Sequence, residues 1–128
     1  MNKKLQGILI IDDDSRNIFA LSAVLKARGY TCYSAAGMQE GFNVLAQNDS
    51  IKIILMDMMM PEMDGYEAIP RLRANADYAH LPIIAVTAQA MAGDREKCLA
   101  AGADDYLSKP VNIEHLEHLL NKYLDARP

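Results

Sequence analysis

The sequence predicts an α/β protein, a parallel β-sheet with helices packed on its faces. Three observations carry this reading. Short apolar runs recur without the alternation of a half-exposed strand, helical patterns fill the intervals between them, and the connections are short, so that strand and helix alternate five times. Runs that are apolar at every position suit strands buried on both faces. A repeated βα unit closes such a sheet through right-handed crossovers.

The first strand is Ile8-Leu9-Ile10-Ile11. Asp14 and Ser15 then offer helix N-caps, and Ile18, Leu21, Val24 and Leu25 share one helical face. Gly29 stands where this helix stops, as Gly102 does for a later one. Thr31-Cys32-Tyr33-Ser34-Ala35 is more mixed and suits an edge strand, whereas Ile51 with Ile53-Ile54-Leu55-Met56 is an interior one. Asp64-Gly65-Tyr66-Glu67 resembles a capping box opening the third helix, with Asp in place of the usual Ser or Thr. Pro70 then falls inside that helix, where the lost amide donor costs about 3 kcal/mol at an interior position. Either the helix kinks there or it starts later than the capping signal; a kink is the expectation. Ile83-Ile84-Ala85-Val86 is the fourth strand and the weaker Tyr106-Leu107 the fifth. The last helix carries Ile113, Leu116, Leu119, Leu120, Tyr123 and Leu124 at helical spacing, with Glu114, Glu117 and Lys122 outside the stripe.

Bulk properties narrow the function. The 128 residues suit one domain, taken as 1–128, and 51% hydrophobic with 23% charged residues excludes a disordered chain. A net charge of −4 gives no general basic field, so direct nucleic-acid binding is disfavoured. Asp12 interrupts the only early apolar run, which leaves neither a signal peptide nor a membrane-inserting span and makes a cytoplasmic location the expectation. Cys32 and Cys98 lie far apart and read as free thiols. His115 and His118 stand at i, i+3 on the last helix, where a solvated face is preferred to a metal pair. The methionines between Met56 and Met63 read as core and loop packing.

Polar residues gather at one end of the strands. Asp12-Asp13-Asp14 follow the first strand, Asp57 the third, Thr87 the fourth, and Ser108-Lys109-Pro110 the fifth. Ligands of open parallel sheets bind beyond those carboxyl ends, where strand order reverses. With order 2-1-3-4-5 the first and third strands are neighbours and Asp12, Asp13 and Asp57 converge. Like charges about 4 Å apart repel by about 4 kcal/mol at an effective dielectric near 20. Lys109 alone does not balance three carboxylates, so the pocket should recruit a divalent cation, and an all-oxygen, partly hydrated site suits Mg²⁺. One carboxylate can then attack phosphorus while the metal and Lys109 neutralise the phosphoryl oxygens, and Thr87 can donate a hydroxyl hydrogen bond to the bound group. Asp14, one step beyond the strand end, reads as a helix cap rather than a ligand.

Four segments in order, Ile8 to Asp14, Leu55 to Gly65, Val86-Thr87-Ala88 and Gly102 to Pro110, resemble the receiver domain of two-component response regulators. Asn17-Ile18-Phe19-Ala20-Leu21 and Gly93-Asp94-Arg95-Glu96-Lys97-Cys98 look most like receivers of hybrid histidine kinases. The resemblance implies a single-domain, doubly wound (βα)5 flavodoxin-like fold of strand order 2-1-3-4-5. It implies that Asp57 accepts a phosphoryl group from a phosphohistidine on a histidine kinase or histidine phosphotransfer protein. It further implies that Asp12, Asp13, Asp57 and the Met59 carbonyl arrange Mg²⁺, that Thr87 and Tyr106 form the switch, and that the Lys109–Pro110 bond is cis. A downstream partner would dock on the face of the fourth helix, fifth strand and fifth helix. The expected role is a signalling domain rather than a turnover enzyme. Met59 and Gln89 occupy positions that tune the lifetime of the phosphoryl group in such domains. Both a stand-alone regulator and a segment of a hybrid kinase remain open.

Other readings fare worse. A haloacid-dehalogenase-type phosphatase needs a second Asp two residues after its nucleophile, where this chain has Met59. A nucleotide-binding module needs a glycine-rich loop after the first strand, where Asp12-Asp13-Asp14-Ser15 puts negative charge instead. A phosphorylation-independent binding module would have little use for the complete set of site residues.

Overall fold

The computed structural model describes residues 6–88 and 92–124. Five strands and five helices alternate: β1 Gly7–Ile11, α1 Ser15–Ala27, β2 Thr31–Ala35, α2 Met38–Gln47, β3 Ile51–Asp57, α3 Gly65–Ala74, β4 Ile83–Thr87, α4 Asp94–Ala101, β5 Asp105–Ser108 and α5 Ile113–Tyr123. The strands form one parallel sheet in the order β2-β1-β3-β4-β5, the flavodoxin-like arrangement. Every residue of β1 and β4 is buried, as continuous apolar runs require, while most of β2 is only partly buried at the sheet edge.

Because side chains alternate across a strand, the sheet divides the core in two. Leu9, Ile11, Ile54, Met56, Ile83 and Ala85 pack with the side chains of α2, α3 and α4. Ile8, Ile10, Ile53, Leu55, Ile84, Val86 and Leu107 pack with Leu25 of α1 and with Leu116, Leu119 and Leu120 of α5. Burying each such aliphatic side chain stabilises the fold by about 1.5–3 kcal/mol.

The helix ends follow the local chemistry. Asp14 caps α1, its carboxylate accepting from the Arg16 amide, and Gly29 just beyond takes φ 94°. Gly102 ends α4 at φ 117°, a left-handed conformation that disfavours any side chain. Asp64 Oδ1 accepts the Glu67 amide at 3.0 Å and α3 begins directly after it, so the later start considered above does not occur. The helix carries Pro70 in its interior, at an exposed position. Arg73, three residues on, donates to the carbonyls of Ala79, Leu81 and Gly102 and to the Asp104 carboxylate. One guanidinium thereby joins the end of α3 to the loop before β4, the end of α4 and the approach to β5, at the sheet end away from the polar cluster.

Candidate functional site

The site forms where four strands end. Asp57 is the last residue of β3 and Thr87 the last of β4, and both are buried. Asp12 follows β1, its amide donating to the Ala35 carbonyl at 3.1 Å. Lys109 follows β5, and its amide donates to the Thr87 carbonyl at 2.8 Å, which ties those two strand ends together. The Lys109–Pro110 peptide bond is cis. The loop after Asp57 is held from two sides. The Met58 amide donates to the Val86 carbonyl at 3.0 Å, and the Gly65 amide donates to the Met58 carbonyl at 3.2 Å. A Cβ on Gly65 would collide with Met58 Sδ and stand 2.9 Å from Met58 Cα, so only glycine permits this approach.

Carboxylate oxygens of Asp12, Asp13 and Asp57 lie within 4.8 Å of one another; Asp13 is exposed and the other two are buried. Lys109 Nζ stands 3.1 Å from Asp12 Oδ2 and 3.5 Å from Asp57 Oδ2. Asp12 Oδ1 accepts the Asp14 amide at 2.8 Å, and its Oδ2 also accepts Asn17 Nδ2 at 2.9 Å. Asp57 Oδ1 accepts the Met59 amide at 3.1 Å.

The two buried carboxyls titrate as a pair and separate. Burial pushes Asp57 up to about 6, and the Asp12 charge adds to this against the opposing Met59 amide and Lys109 ammonium. Burial acts in the same direction on Asp12, but hydrogen bonds from Asp14, Asn17 and Lys109 outweigh it and hold Asp12 below the usual range. Lys109 also pays a desolvation penalty, which the two carboxylates overcome, so its pKa is raised and it stays an ammonium. An unbalanced, all-oxygen cluster of this kind fits a hard divalent cation such as Mg²⁺ better than a soft metal.

The sequence-derived residues meet different fates. Asp12, Asp13, Asp57 and Lys109 meet in one pocket, and Thr87 closes the adjacent strand end. Tyr106 lies on β5, half-buried, and packs against the core on the α2–α4 side rather than on the carboxylates. Gln89 lies outside the described residues. Met59 contributes its amide to Asp57 and leaves its side chain 50% exposed. Asp14 is a cap, and His115 and His118 lie on an exposed face of α5. Cys32 and Cys98 are both free thiols. Asn17 was missed; the available signal was its place in the first turn of α1, directly after the strand-end aspartates.

The family described as the response regulator receiver domain matches residues 8–121. The chain belongs to this family. Sensor histidine kinase RcsC of Escherichia coli (strain K12) is 39% identical over 118 residues, and the match covers 92% of this chain but only 12% of RcsC. The receiver domain of sensor histidine kinase PA1611 from Pseudomonas aeruginosa superimposes with a TM-score of 0.82 at 36% identity, covering 92% of this chain and 96% of that one. That structure holds a magnesium ion in its active-site cleft. The receiver domain of Saccharomyces cerevisiae Ssk1, solved with the histidine phosphotransfer protein Ypd1, gives 0.80 at 28% identity, covering 91% of this chain and 87% of that one. This receiver domain thus belongs to two-component signalling. None of its described helices is long and apolar enough to cross a membrane.

Proposed function

We propose that this receiver, acting as one unit over residues 1–128, accepts a phosphoryl group on Asp57 from a phosphohistidine, with Mg²⁺ bound beside it. The observation that carries this reading is a buried carboxylate at the end of a central strand, with one ammonium and two further carboxylates around it. Asp12, Asp13, Asp57 and the Met59 carbonyl would hold the Mg²⁺, whose charge stabilises the phosphoryl oxygens when it is bound.

The chain's own groups do the rest. An Asp57 oxygen attacks phosphorus, the new O–P bond forms as the P–N bond to the donor histidine breaks, and the imidazole leaves. The Met59 amide fixes Oδ1 and so orients the carboxylate. Lys109 moves its charge toward the incoming phosphoryl oxygens, and the Thr87 hydroxyl donates to the bound group. Tyr106 and the α4–β5–α5 face then carry the change to a downstream partner.

A histidine kinase or histidine phosphotransfer protein is the donor we favour. Phe19 in α1 and Met59 beside the site are large apolar side chains left 76% and 50% exposed, suited to covering by a partner. The role is that of a cytoplasmic signalling domain that turns over only its own phosphoryl group. Acetyl phosphate with Mg²⁺ should add one phosphoryl group by intact mass, and Asp57→Asn should abolish the addition. Undiminished labelling of that variant would mean the acceptor is another residue.

A further inference from the structure

Asn17, the third residue of α1, reaches back to the strand-end aspartate and donates from Nδ2 to Asp12 Oδ2 at 2.9 Å. A carboxylate only accepts, so the amide nitrogen must be the atom that faces it. The same oxygen accepts Lys109 Nζ at 3.1 Å, and Oδ1 accepts the Asp14 amide at 2.8 Å. Asp12 is therefore held by one charged donor and two neutral ones.

The three donors differ in what they do as the site fills. Lys109 also faces Asp57 Oδ2 at 3.5 Å, and an incoming phosphoryl group competes for its ammonium. A dication beside Asp12 repels that ammonium as well. Asn17 carries no net charge, so neither event drives it away. It sits on a helix whose first turn is fixed by the Asp14 cap, which makes it a rigid support.

We infer that Asn17 is a positioning residue for the cation site, keeping Asp12 oriented when Lys109 turns to the phosphoryl group. This rests on the phosphoacceptor reading given above. A hydrogen-bonded support behind a metal-ligating carboxylate typically changes metal affinity by about 10–100-fold.

The test uses Asn17→Leu, which keeps the bulk and removes the donor, together with Asn17→Ala in case the larger side chain disturbs folding. In the metal-free protein the Asp14 amide resonance should shift in both, because its acceptor, Asp12 Oδ1, loses its fixed orientation. The Mg²⁺ dissociation constant, from titration of the protein with the metal alone, should rise about tenfold while the thermal midpoint stays within a few degrees. In an Asp12→Ala background the same Asn17 substitutions should leave Mg²⁺ affinity unchanged, since their effect passes through Asp12. Unchanged Mg²⁺ affinity in both single variants, or an equal loss with and without Asp12, would overturn the inference while leaving the phosphoacceptor reading standing. A wild-type protein that binds no Mg²⁺ would instead overturn that reading, and this inference with it.

Discussion

Lys109 Nζ lies 3.1 Å from Asp12 Oδ2 and 3.5 Å from Asp57 Oδ2, so a single ammonium is divided between two buried carboxylates. The cation sits between them and belongs to neither pair alone.

Lys109→Ala should destabilise the metal-free protein by about 1–3 kcal/mol at neutral pH, less than a fully buried pair because the lysine side chain is partly exposed. Millimolar Mg²⁺ should restore much of that loss, since it supplies the missing charge to the same carboxylates. Urea unfolding with and without Mg²⁺ measures both. Phosphorylation by acetyl phosphate should nevertheless slow by more than about tenfold, because the metal does not replace the ammonium at the phosphoryl oxygens.

The Asp57 carboxyl gives a pH dependence with a definite sign. Its pKa rises from 3.8 to about 6 on folding, so its contribution to stability is full below 3.8 and is lost as pH rises through about 6. Ionising Asp57 thus opposes folding at neutral pH when no metal is bound. Asp57→Asn should stabilise the metal-free protein at pH 7 by on the order of 2 kcal/mol, and the advantage should fade as pH falls toward 4. Thermal unfolding of both proteins across that range measures the difference. Saturating Mg²⁺ should shrink it by stabilising the wild type.

Gly65→Ala should strain the loop that carries Met58 and Met59. The added methyl would collide with Met58 Sδ and meet Met58 Cα at 2.9 Å, and the second of these is backbone. A loss of about 1–3 kcal/mol is expected, the range for overpacking. Because the Met59 amide orients Asp57, acetyl phosphate labelling should slow as well. A variant destabilised to this degree yet labelled at the wild-type rate would show that the loop and the acceptor are not coupled.

Much of the site was legible because strand-end position is a one-dimensional signal. Asp12, Asp57 and Thr87 each interrupt or close an apolar run, and the parallel sheet then brings those ends together. Asp14 was legible as a cap for the same local reason. Asn17 was not, because its partner is five residues back and across a strand-to-helix turn that sequence spacing does not specify. The contacts of Arg73 were still less accessible. Its bonds to Gly102 and Asp104 span 29 and 31 residues and depend on how α3, α4 and β5 pack. The division of Lys109 between two carboxylates is likewise a matter of ångströms rather than of pattern.

The alternation that splits the core in two also sorts the residues of the site. Asp12 continues the parity of Ile8 and Ile10, Asp57 that of Ile53 and Leu55, and Lys109 that of Leu107, and those apolar residues all belong to the α1–α5 compartment. Thr87 continues the parity of Ile83 and Ala85, and Tyr106 joins them in the compartment that holds Cys98 of α4. On the proposed function, acceptor and switch residue would stand on opposite sides of one partition, and the main-chain bond between Lys109 and Thr87 is a link around its rim. Sliding any one strand by a single residue would put its polar end on the wrong side. The hydrophobic pattern of the strands therefore fixes which polar residues can meet at the site as well as the stability of the fold.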